Sequence, residues 1–189
     1  GIVSLIMPIE LKAQNNPFKI DDKLYEYYVR ASNARRSPIC VAIADTMYNM
    51  AMLSGDKKAA CIALSVPVGH YQVTLQEEKF NSAADRLMAE ARKNGELNYY
   101  YYARSARITL YINLHRYLQA LQETEQMGLS AEKDGNYYGK MLALRAIANI
   151  YMINRNYEMA VKYFKESLDI LINHLPDQDQ SVGYMRLAR

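Results

Sequence analysis

Apolar residues recur at helical spacing along almost the whole chain. Leu24, Tyr25, Tyr28, Val29 and Ser32 lie three or four apart behind Asp21-Asp22, which predicts a helix over 22–35 with an aspartate at its N-cap. Ser37-Pro38 opens the next stripe, Ile39, Ala42, Ile43, Thr46, Met47, Met50 and Leu53, which runs to Gly55 as a C-terminal stop. Asp56 then caps a third segment, 56–75, in which Val66-Pro67-Val68-Gly69 is expected to kink or break the helix. Phe80, Ala83, Ala84, Leu87, Met88 and Ala91 mark a fourth helix ending at Lys93-Asn94-Gly95. Further helices are predicted over 97–113, 116–132, 137–153 and 156–174. Pro176-Asp177 stops the last of these, and 181–189 reads as the opening of one more. The short links make neighbours antiparallel, so the expectation is an all-α array of four hairpins and a cut ninth helix.

The second helices of successive hairpins align as Phe80-x-x-Ala83-x-x-x-Leu87, Tyr117-x-x-Ala120-x-x-x-Thr124 and Tyr157-x-x-Ala160-x-x-x-Phe164, at separations of 37 and 40 residues. Alanine lets two helix axes approach while the flanking large side chains fill the groove beside them. The last hairpin adds Leu144-x-x-Ile147-Ala148-x-x-Tyr151 ahead of Tyr157, Ala160 and Phe164, and this order resembles the tetratricopeptide repeat. The likeness is strongest over 141–174, weaker over 101–132 and degenerate before that. It implies a right-handed α-α superhelix, a solenoid of antiparallel hairpins with a concave binding face. Over about 17–189 the chain also resembles the sensor regions that precede the kinase or DNA-binding parts of bacterial transmembrane regulators. That broader resemblance implies a signalling domain with a catalytic part, such as a kinase, C-terminal to it.

Composition narrows the classes. With 50% apolar and 23% charged residues the chain reads as an ordinary domain or repeat array. The net charge of +3 forms no basic stripe, which argues against nucleic acid. No apolar run approaches the roughly 18–20 residues of a membrane span. Residues 1–16 read as a leader: an apolar run from Ile2 to Ile9, then Glu10 to Gln14, resembles the end of a secretory signal peptide with Ala13 near a cleavage point. That places the domain, 17–189, in the periplasm or outside the cell. The alternative is a cytoplasmic chain whose residues 2–9 pack on the first helix. Cys40 and Cys61 read as buried small hydrophobes, too far apart along antiparallel helices for a disulfide.

Candidate chemistry is sparse. His70, His115 and His174 are scattered without carboxylate companions at ligand spacing, so no metal site is expected and the three read as surface or capping residues. There is no G-x-S-x-G elbow and no glycine-rich phosphate loop, so neither catalysis nor a cofactor is expected. The run Tyr99-Tyr100-Tyr101-Tyr102 faces four directions, and Tyr102 matches the inner face of a repeat's first helix. The same register selects Leu142, Arg145, Asn149 and Met152 in the last hairpin and Thr109, Ile112 and Asn113 one hairpin earlier. Arg145 and Asn149 resemble the cation-and-amide pair with which some tetratricopeptide domains hold a peptide carboxylate, and Arg186 would add a second cation. The expected function is therefore non-enzymatic binding of a protein or peptide in the concave groove. The alternative is a cytoplasmic scaffold or peptide-responsive transcriptional regulator using the same groove. The chain stops inside an apparent repeat at Arg189, so more protein is expected to follow, and an apolar end left there would allow a homodimer.

Overall fold

The computed structural model describes residues 16–175. The expected leader, the ninth helix and Arg186 lie outside the described residues, apart from Asn16. Eight helices follow one another: α1 (Asp22–Asn33), α2 (Ile39–Ser54), α3 (Lys57–Val73), α4 (Glu77–Asn94), α5 (Leu97–Asn113), α6 (Tyr117–Asp134), α7 (Tyr137–Ile153) and α8 (Tyr157–His174). Among the described residues there is no strand.

Local chemistry accounts for the boundaries. The side chains of Asp21, Asp56, Asn136 and Asn156 accept the first free amides of α1, α3, α7 and α8. Gly55, Gly95 and Gly135 close α2, α4 and α6 with φ of 73°, 74° and 61°, a left-handed conformation that glycine adopts without a Cβ clash. In each case the next amide bonds back to an alanine carbonyl, Asp56 to Ala51, Glu96 to Ala91 and Asn136 to Ala131. The intervening turns make the same bond through Leu75, His115 and Arg155, whose φ values are 56°, 59° and 59°.

Both sets of turns recur every 40 residues, and burial follows them. Cys40, Phe80, Ala120 and Ala160 occupy one buried position, and Ala51, Ala91, Ala131 and Leu171 another. This corrects the alignment at 37 residues. Phe80 is fully buried and corresponds to Ala120, whereas Tyr117 and Tyr157 are exposed at the starts of their helices. An aromatic ring at a helix start mimicked the aromatic ring of the core.

Each helix packs on its chain neighbours, and the odd helices also touch each other, α1 on α3, α3 on α5 and α5 on α7. Among the described residues the even helices do not pack backbone to backbone on one another, and α4 reaches α6 through a long side chain, Arg92 to Asp134 at 3.3 Å. The odd helices therefore form one layer and the even helices the other. Because α3 meets α1, α2, α4 and α5, it is apolar on nearly every side. That enclosure explains why Pro67 lies inside one continuous helix: packing on four neighbours outweighs the hydrogen bond that proline cannot donate. Cys40 and Cys61 are free and buried. His70, expected as a surface or capping residue, is buried, with Nδ1–H donating to the Arg35 carbonyl at 2.7 Å. His115 and His174 are exposed.

Candidate functional site

The layer of odd helices converges on one cavity of about 490 Å³. Tyr28 comes from α1, Lys58, Ile62 and Ser65 from α3, Asn98, Tyr99 and Tyr102 from α5, and Tyr138 from α7. Pro17 and Phe18, just before α1, and Glu96, just before α5, complete the wall. Lys58 Nζ donates to the Phe18 carbonyl at 2.6 Å, tying that segment to α3, and the Phe18 ring meets Tyr28 edge-on at 4.9 Å.

The tyrosine run is divided by helix geometry. Tyr99 and Tyr102, three apart, share the face toward the cavity. Tyr101 is buried on the other side, with its hydroxyl donating to Asp134 Oδ2 at 2.5 Å. Tyr100 lies beneath the guanidinium of Arg92, 4.1 Å from the ring centre. Burial raises the phenol pKa of Tyr28, Tyr99 and Tyr138 and pushes that of Tyr102 up to about 12. Arg35 opposes the rise at Tyr28 and Tyr102, and Arg145 opposes it at Tyr138. All four rings are therefore neutral at physiological pH and present apolar faces with hydroxyl tips.

A narrow recess of about 40 Å³ shares Tyr28, Ser65 and Tyr102 with the cavity and adds Ser32, Arg35 and Gly69. A Cβ on residue 69 would fall 2.8 Å from Arg35 Nη2, so glycine is what lets this guanidinium lie on α3. The 40-residue register puts Thr109 and Asn149 at the equivalent positions.

Of the residues singled out in the sequence, the structure describes all but Arg186. Tyr102 lines the cavity. Arg145 is half-buried and acts electrostatically on Tyr138, and Asn149 lies one turn beyond it on α7. Thr109 is exposed and donates to the Ser105 carbonyl at 3.1 Å. Asn113 ends α5, exposed, and Met152 is exposed near the end of α7. These last residues stand away from the cavity lining. Sequence reasoning missed Tyr28, Lys58, Glu96, Tyr99 and Tyr138. Reading the chain in steps of 40 would have found part of this set, since Lys58, Asn98 and Tyr138 form one column and Ile62, Tyr102 and Leu142 another.

No histidine or cysteine lines the cavity or the recess. Among the described residues no cluster of three or more His, Cys, Asp or Glu is placed to hold a metal ion, and no helix is long and apolar enough to cross a membrane. Comparison with known protein families, curated proteins and solved structures found no match to this chain.

Proposed function

We propose that this chain is a non-enzymatic binding domain of tetratricopeptide type, curved as a right-handed superhelix, which takes a peptide or protein segment into the face formed by α1, α3, α5 and α7. The observation that carries this reading is the convergence of all four helices on one tyrosine-lined cavity. Rigid aromatic rings give large contact area at low conformational cost, and the hydroxyl, amide and ammonium groups between them suit the mixed chemistry of a polypeptide. The wall holds no pairing of a nucleophile with a histidine base, which favours binding over turnover. By the same reading the domain is the periplasmic sensory or interaction part of a bacterial signalling regulator.

The test is selection of a displayed peptide library on the immobilised protein, followed by rebinding to Tyr102→Ala and Tyr138→Ala variants of unchanged helicity. Selected peptides are expected to bind these variants at least tenfold more weakly. A library that yields no binder, or binders indifferent to both substitutions, would remove the cavity as the binding site.

A further inference from the structure

A second groove, of about 570 Å³, opens on the opposite side of the molecule, between α6 and α8 and over α7. The 40-residue register explains its origin. Tyr48, Met88 and Leu168 occupy equivalent positions on α2, α4 and α8, and each packs into the core beside it. The equivalent residue of α6 is Gly128, which contributes no side chain.

The repeat before it shows what such a groove holds when the chain fills it. There Tyr100 lies under the guanidinium of Arg92, which pairs with Asp134 at 3.3 Å, Arg104 pairs with Glu123 at 2.7 Å and donates to Ser130 at 3.0 Å, and Arg107 pairs with Asp85 at 2.8 Å. One register later Lys140 stands in place of Tyr100, Glu132 of Arg92, Leu144 of Arg104 and Ile147 of Arg107. The ring and the three guanidiniums are gone together, and of the carboxylates they met, Glu123 and Asp134 give way to Tyr163 and His174 while Asp85 is replaced by another acid, Glu125. Among the described residues no cation pairs with Glu125, whereas Lys140 pairs with Glu132 at 2.9 Å. The groove thus keeps an apolar floor of Gly128, Ala143, Leu144 and Ile147 beneath a rim of Glu125, Glu132 and Lys140, on which Glu125 is the one carboxylate in excess.

We infer that this groove is a docking site for a partner segment that supplies the missing pieces, an aromatic side chain seated over Gly128 and an arginine paired with Glu125. The chain's own filled groove is the template for that occupant, and the charge of the rim selects a basic partner over an acidic one. This surface is separate from the tyrosine cavity and stands or falls independently of it.

The experiment is a displayed linear-peptide library selected on the wild-type protein, with individual peptides rebound to Gly128→Met, which fills the groove, and to Glu125→Lys, which reverses its rim. Sedimentation velocity of the unliganded proteins runs alongside. The expected result is a class of peptides with an arginine within about one helical turn of an aromatic residue. They bind both variants at least tenfold more weakly, and Tyr102→Ala as well as wild type. Two variants are used because Glu125→Lys leaves the packing around α6 untouched even where Gly128→Met disturbs it. Binders that ignore both substitutions, a selected class rich in acidic residues, or no binder lost in the variants would each overturn the inference. Self-association abolished by Gly128→Met would overturn it too, by giving the groove to a second copy of the chain.

Discussion

The ring of Tyr101 lies directly on Gly139, so that a Cβ at that glycine would fall 2.7 Å from the tyrosine Cγ and 2.9 Å from the Ala131 Cβ. The equivalent positions one and two repeats earlier are Tyr99 and Ala59, so glycine at 139 answers the bulk of Tyr101 and is not a feature of the turn. Gly139→Ala is expected to cost about 2 kcal/mol through overpacking between α5, α6 and α7. Chemical denaturation measures this, and an unchanged midpoint would show that the ring can shift aside freely.

The Tyr101 hydroxyl reaches across to Asp134, which also receives Arg92 at 3.3 Å. Tyr101→Phe keeps the ring and removes the hydroxyl, leaving the carboxylate with its arginine. The expected loss is about 1 kcal/mol, in the ordinary range for one partly exposed hydrogen bond. Denaturation of this variant in the Arg92→Ala background tests the coupling, because Asp134 then loses both partners and the joint loss should exceed the sum of the single losses.

Stability should fall in alkali. Burial raises the Tyr102 phenol from 10.0 to about 12 and the Cys61 thiol from 9.0 to about 11. A group whose pKa is higher in the folded state contributes stability that is complete below its unfolded value and lost as the pH rises toward its folded one. The free energy of unfolding is therefore expected to hold level to about pH 8.5 and to decline between pH 9 and 12. Denaturant titrations across that range, followed by phenolate absorbance, measure it. Absorbance from the buried tyrosines should rise with unfolding and not before it.

Gly128 lies well inside α6 with φ in the helical range, and a Cβ there would meet only the Ala143 Cβ at 3.6 Å. Gly128→Ala should therefore stabilise the fold by about 0.8 kcal/mol, the ordinary helix-propensity difference. A rise in the thermal midpoint checks it. The contrast with Gly139→Ala is the informative part, because one helical glycine leaves a gap and the other accommodates a ring.

Helices and their ends were legible in the sequence because they are encoded within a few residues. The Asp21 and Asp56 caps and the Gly55 and Gly95 stops were visible there, whereas the Gly135 stop was not singled out and the ends of α1 and α6 were each misjudged by two residues, at 35 and 132 where the helices end at Asn33 and Asp134. Tyr102 was picked out from the tyrosine run by its helical register, and it is one of the cavity's lining residues. The repeat was legible as a repeat but not in its phase, since Tyr117 matches Phe80 in type and only burial separates them.

What the sequence by itself determined is the all-α character and the alternation of long helices with tight turns, since periodicity and capping act over one or two helical turns. Tertiary structure alone decided the rest. It buried His70 against the Arg35 carbonyl, carried α3 through Pro67 by surrounding it, and brought Tyr28 and Tyr138, 110 residues apart, into one cavity. The reason is physical: a local pattern fixes which face of a helix is apolar, but which side chains share a cavity depends on how successive helices stack, and that depends on packing summed across the array.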